Sequence, residues 1–219
     1  MTFPGSRPAP ELVVGFDLDL TLVDSHERIV SSYLAAFAGL GRPEITEADL
    51  LPHLGLTLTH VSTLLAPDLD SDEVVHAYRA HYDRPGAPPT EPMPGAVLAL
   101  TAVHERGGRC VVVSAKQDVR VRSAVEEAGL AACLDVLYGD LFGEAKAGAL
   151  IAEHATIYVG DHPGDMVAGL RANCYALGVT TGSNNEDALL AAGADDTIAS
   201  LEDFPAWLGD WLVRHHEAE

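Results

Sequence analysis

Asp17 and Asp19 stand two residues apart in VVGFDLDLTLVDS (residues 13–25), with Thr21 two further on. Much later, VGDHPGD supplies Asp161 and Asp165, GRCVVVSAK ends on Ser114, Ala115 and Lys116, and GEAKAG carries Lys146. Clustered carboxylates attract hard cations, while hydroxyls, backbone N–H groups and lysine attract oxyanions. Lys116 and Lys146 are the only lysines in the chain, and both fall beside these motifs. With 33 Asp+Glu against 13 Lys+Arg, the formal net charge is −20. Further carboxylates gathered in such a chain call for a cation.

Each motif follows a short apolar run of β-forming residues, and those runs set its position. Residues 12–16, 108–115, 134–140, 156–161, 174–182 and 195–200 read as strands. Helical patterns over 96–107, 118–130, 146–154, 164–173, 186–193 and 201–216 alternate with them. Parallel strands need crossovers, so this order predicts an α/β fold: a Rossmann-like three-layer parallel sheet with helices on both faces. In such sheets ligands gather at the carboxyl ends of the strands, where all the residues named above would stand.

Residues 25–92 break the alternation. SHERIVSSYLAAFAGLG places Ile29, Leu34, Phe37 and Leu40 near one helical face, three shorter helical patterns follow, and no strand is evident. The Pro/Gly-rich stretch 84–95 reads as a linker and residues 1–10 as a loose leader. The expected organisation is an α/β core domain from 1–24 and 93–219, interrupted by a small all-helical cap domain at 25–92.

The acidic balance opposes binding to nucleic acid or to an anionic membrane surface. No run is long enough to span a bilayer. Cys110, Cys133 and Cys174 are odd in number and scattered, as in reduced thiols of a cytoplasmic protein. Ten histidines include no H-E-x-x-H pair. His215 and His216 fall in a tail, and His53, His60, His76 and Arg79 of the helical block read as surface residues, with contact to a substrate the alternative. Trp207, Leu208, Trp211 and Leu212 form a packing stripe. GVTTGSNN lacks the G-x-G-x-x-G pattern of a dinucleotide site.

Taken together, DLDLT, Ser114, Lys146 and GDHPGD resemble the four motifs of the haloacid dehalogenase superfamily, in its phosphoglycolate phosphatase-like branch with a helical cap. The resemblance spans residues 12 to 205 and departs twice: Leu20 stands where the family has Gly, and Ala147 where proline follows the lysine. If Leu20 must adopt positive φ, the strain is of order 1 kcal/mol. The resemblance implies a phosphatase acting on a small phosphorylated metabolite, as monomer or homodimer, through an aspartyl-phosphate. Asp17 would be the nucleophile and Asp19 the acid and base. Asp17, the Asp19 backbone carbonyl and Asp161 would hold Mg2+ and Asp165 would orient a metal-bound water or the lysine, with the four carboxyl groups of Asp17, Asp19, Asp161 and Asp165 converging on that one ion. Thr21, Ser114, Ala115 and Lys146 would hold the phosphoryl group, with Lys116 the alternative to Lys146.

Other readings carry distinct signatures. A phosphomutase uses the same nucleophile. A dehalogenase needs neither Asp19 nor Asp161, and phosphonate cleavage needs a lysine that residues 25–92 lack. A phospho-accepting or partner-binding regulator would be shorter, or would have lost one reactive group.

Overall fold

The structure, a computed structural model, describes residues 12–216; the leader expected at residues 1–10 lies outside them. Strand β1 (Val13–Phe16) is wholly buried and leads into the two-residue β2 (Val23–Asp24). Helices α1 (His26–Gly39), α2 (Glu47–Leu50), α3 (Leu58–Leu65) and α4 (Ser71–Tyr82) follow, with a 3-10 turn at Leu51–His53. A two-residue strand β3 (Glu91–Pro92) pairs antiparallel with β2, so 25–92 does contain one strand. Two residues are too few to show an alternation, which hides this ribbon in the sequence.

Beyond the linker the elements alternate: α5 (Ala96–His104), β4 (Arg109–Val113), α6 (Asp118–Glu127), β5 (Val136–Tyr138), α7 (Glu144–Ala152) and β6 (Ile157–Gly160). Then come α8 (Pro163–Arg171), β7 (Tyr175–Val179), α9 (Glu186–Ala191), β8 (Asp196–Ile198) and α10 (Phe204–His216). Six strands form one parallel sheet in the order β5-β4-β1-β6-β7-β8. Strand β1 lies between β4 and β6, with Val14 opposite both Cys110 and Ile157. The chain reverses its direction of progress across the sheet there, which opens a crevice at the carboxyl ends of these three strands.

Period-two alternation sorts the side chains between two cores. Val14, Phe16, Cys110, Val112, Ile157 and Val159 pack with residues of α5, α6 and α10. Val13, Val111, Val113 and Tyr158 pack instead with Ala149, Leu150 and Ala168 of α7 and α8. Leu208 and Trp211 are buried in the first core, and Trp207 and Leu212 pack against it. His215 belongs to α10 and stacks on Trp211 with ring centres 4.2 Å apart, so it is not part of a loose tail.

Helices α1 to α4 enclose their own cluster. Tyr33, Phe37, Leu50, Leu54, Val61, Val74, Tyr78 and Tyr82 are buried in it, joined by Leu20 from the loop after β1. Thr46 and Asp49 form a capping box on α2. At α4 the N-cap is Asp70, which accepts from the Asp72 N–H at 2.8 Å. The three cysteines are free thiols. Among the described residues no helix is long and apolar enough to cross a membrane.

Candidate active site

The sharp turn after β1 brings its acids to the crevice. Leu20 adopts φ 61°, its N–H donates to the Val23 carbonyl, and the Thr181 hydroxyl donates to the Leu20 carbonyl at 2.6 Å. The turn is therefore left-handed, with a leucine in it. Its side chain is buried in the helical cluster, which offsets the strain.

Three distant carboxylates meet beyond this turn. Oxygens of Asp17, Asp161 and Asp165 lie within 4.8 Å of one another. Lys146, in the first turn of α7, donates to Asp17 Oδ1 at 2.9 Å and to Asp165 Oδ1 at 2.7 Å. Ala147 in place of proline does not stop the lysine from reaching the acids. Asp165 also accepts from the Tyr158 hydroxyl at 3.1 Å and from the His162 N–H at 3.2 Å, so it both caps α8 and joins the cluster. Thr21 donates to Asp161 Oδ1 at 3.0 Å.

One lysine cannot balance three buried carboxylates. Burial, with Asp165 beside it, pushes Asp17 up to about 7 against the pull of Lys146. Burial and the charges of Asp17 and Asp165 hold Asp161 well above the usual carboxylate range. Burial opposes the charge on Lys146, yet Asp165 and Asp17 raise it well above an ordinary lysine. A hard divalent cation fits this donor set: every side chain offers oxygen, and its charge would relieve the repulsion.

Asp19 stands outside the group, so the expected convergence of four carboxyl groups is not what the structure has. Lys116 donates to both of its oxygens, at 2.8 and 2.9 Å, and the Ser25 hydroxyl donates to Oδ1 at 2.6 Å. Lys116 is therefore a second cation beside Lys146, paired with Asp19 and 4.8 Å from the centre of the Tyr82 ring of α4. Burial works against the charge on Lys116, but Asp19 and Tyr82 hold it above the usual lysine value. Ser114 is buried, its Oγ accepts from the Lys116 N–H at 3.2 Å, and it lines the crevice with Ala115.

Several participants carry no sequence motif. Ser25 is the N-cap of α1, and Tyr158 lies inside β6. The loop after β7, set aside because it lacks a dinucleotide pattern, wraps Asp161: a Cβ on Gly182 would lie 1.9 Å from Asp161 Oδ2. Asn184 donates to the Asp161 carbonyl at 3.3 Å. A glycine following a strand at this edge was the one available signal.

A cavity of about 250 Å³ lies between the sheet edge and the helical block. The core side presents Asp17, Asp19, Ser114, Lys116, Lys146, Asp161 and Asp165 to it. Of the block residues read as surface, Arg79 lines the cavity, whereas His53, His60 and His76 do not. Among the described residues one other group gathers metal-type donors: His104, Cys110 and Asp135, within 4.8 Å. There the Asp135 carboxylate accepts from the Cys110 N–H at 2.7 Å and pairs with His104 at 3.1 Å, an anchor between β4 and its neighbour.

The topology and the acid-lined crevice are those of a Rossmann-like α/β core with helices inserted after its first strand. Residues 14–179 match haloacid dehalogenase-like hydrolases, and the chain belongs to that family. It is 26% identical over 214 residues to a phosphoglycolate phosphatase of Vibrio cholerae, covering 86% of this chain and 94% of that one. It is 27% identical over 199 residues to the pyrophosphatase PpaX of Halalkalibacterium halodurans, covering 86% and 92%. A haloacid dehalogenase-like hydrolase from Streptococcus pneumoniae superposes with a TM-score of 0.81 at 20% identity, over 91% of this chain and 99% of that one, and shares the fold.

Proposed function

We propose that the protein is a Mg2+-dependent phosphomonoester hydrolase in which residues 25–92 act as a cap domain over the α/β core. The observation that carries this reading is the meeting of Asp17, Asp161 and Asp165 with Lys146. Similarity to a phosphoglycolate phosphatase and a pyrophosphatase supports a small phosphorylated substrate.

Asp17, Asp161 and Asp165 would hold Mg2+, with the Asp19 backbone carbonyl. Bound there, the ion would neutralise phosphoryl oxygens and let a dianion approach a carboxylate, a repulsion of about 4 kcal/mol for unit charges 4 Å apart at an effective dielectric of 20. Lys146, Thr21, Ser114 and the N–H groups near Ala115 orient the remaining oxygens. An Asp17 oxygen attacks phosphorus in line, the bond from phosphorus to the leaving oxygen breaks, and Asp19 gives that oxygen a proton. Water, losing a proton to Asp19, then attacks the aspartyl-phosphate and frees inorganic phosphate. Lys116 donates to both Asp19 oxygens and so holds that carboxyl group in place beside the site, leaving each oxygen further acceptor capacity. It is a positioning residue.

Acid quenching during turnover of a labelled phosphomonoester tests the reading. Mass spectrometry is expected to find an acyl phosphate on the peptide containing Asp17, and none in Asp17→Asn. Label on another residue would refute Asp17 as the nucleophile.

A further inference from the structure

The two halves of the cavity differ in chemistry. Its core half carries the acids, both lysines, Arg120 and hydroxyls; its cap half is lined mainly by Tyr33, Leu54, Leu56, Leu58, Val75 and Tyr78, with Thr57 and Thr59 adding two hydroxyls. One charged cap side chain reaches the cavity: Arg79, half-buried on α4. In this acidic chain the Arg79 guanidinium has no carboxylate or other hydrogen-bonding partner among the described residues, whereas Arg28, Arg42 and Arg120 are ion-paired and Arg106 and Arg214 donate to backbone carbonyls. An apolar wall leaves a small, fully polar leaving group poorly solvated and gains by covering an apolar one. An unpaired guanidinium in a partly dry wall favours an anion.

We infer that the substrate is a phosphomonoester whose leaving group has an apolar, ring-sized body ending in a carboxylate or similar anion, the body held by the cap tyrosines and leucines and the anion by Arg79. This deepens the proposed function and rests on the phosphoryl group lying at Asp17. It assigns Arg79 a specificity role, the alternative to the surface placement that the sequence favours.

The test compares ethyl, benzyl and 4-carboxybenzyl phosphate, whose alkoxide leaving groups are similar in basicity, so that chemistry alone does not rank them. Benzyl phosphate is expected to exceed ethyl phosphate in kcat/KM by about tenfold or more, as a ring gains over two carbons in an apolar pocket. The 4-carboxyl group should add roughly another tenfold, mostly through KM. Arg79→Ala should bring the carboxybenzyl-to-benzyl ratio close to one, and Arg79→Lys should restore part of it. Equal kcat/KM for ethyl and benzyl phosphate, or a carboxybenzyl preference that survives Arg79→Ala, would overturn the inference. Calorimetric binding of the matching non-hydrolysable phosphonates with Mg2+ separates the two levels. The same ranking in binding without turnover of any ester would retain the subsite and sink the phosphatase reading. Turnover of all three esters with no ranking in either measurement would do the opposite.

Discussion

Lys146 is the residue on which most of the site's electrostatics depends, because its ammonium is buried and shared by Asp17 and Asp165. Removing it leaves two buried carboxylates without their shared cation, Asp165 keeping only Tyr158 and the His162 N–H, a change that costs about 3–5 kcal/mol. Lys146→Ala is therefore expected to lower Tm strongly in EDTA and to abolish turnover; an unchanged Tm would contradict the buried pairing. Lys116→Ala frees Asp19 instead and should slow turnover while leaving Asp17 phosphorylatable. Leu20 gives an independent check. Replacing it with Gly relieves the φ of 61° but removes a side chain buried against the helical block. Denaturant unfolding should show Leu20→Gly destabilised by about 1–2 kcal/mol, burial outweighing strain. The acidic motifs, Ser114 and Lys146 could be read from sequence because chemistry restricts their residue types. Ser25, Tyr158 and Gly182 could not. Any hydroxyl or glycine looks alike in sequence until the fold sets it beside an acid.

At the scale of elements, the helical block meets the core at two kinds of contact. Arg28 of α1 bonds Glu127 of α6 at 2.7 Å, and Arg120 of α6 pairs with Asp83 at the end of α4. Nearer the site, Gly55 adopts φ 95°, and a Cβ there would lie 2.7 Å from the His162 ring carbon Cδ2. Gly55→Ala is expected to strain the loop by about 1 kcal/mol and to hold it off His162. Steady-state kinetics should show a raised KM with only a small loss of Tm; wild-type kinetics would mean that this contact has no part in substrate binding. The elements themselves were mostly legible, since buried parallel strands such as β4 are continuous apolar runs and the helices keep their period. The two-residue β2 and β3 were not, because pairing across about seventy residues leaves no local pattern.

For the molecule as a whole, pH and metal act on the same carboxylates. The folded-state value of Asp17, about 7, exceeds its ordinary 3.8 through burial and Asp165. Its contribution to metal-free stability is thus complete below about pH 4 and is lost as pH rises through about 7. Cation binding needs ionised carboxylates, so MgCl2 should raise Tm more at pH 7.5 than at pH 5.5. An equal or larger shift at pH 5.5 would contradict the assignment of Asp17 and Asp161 as ligands. The net charge of −20 fits such a cation requirement, but the pairing of Asp19 with Lys116 rather than with the other acids emerged only from three dimensions. The most direct measurement is hydrolysis of acetyl phosphate by folded wild-type protein with MgCl2, then with EDTA, then with MgCl2 restored. Turnover that is present, lost and regained is the expected result. Equal turnover in EDTA, or none under any of the three conditions, would contradict a divalent-cation phosphatase site at Asp17, Asp161 and Asp165.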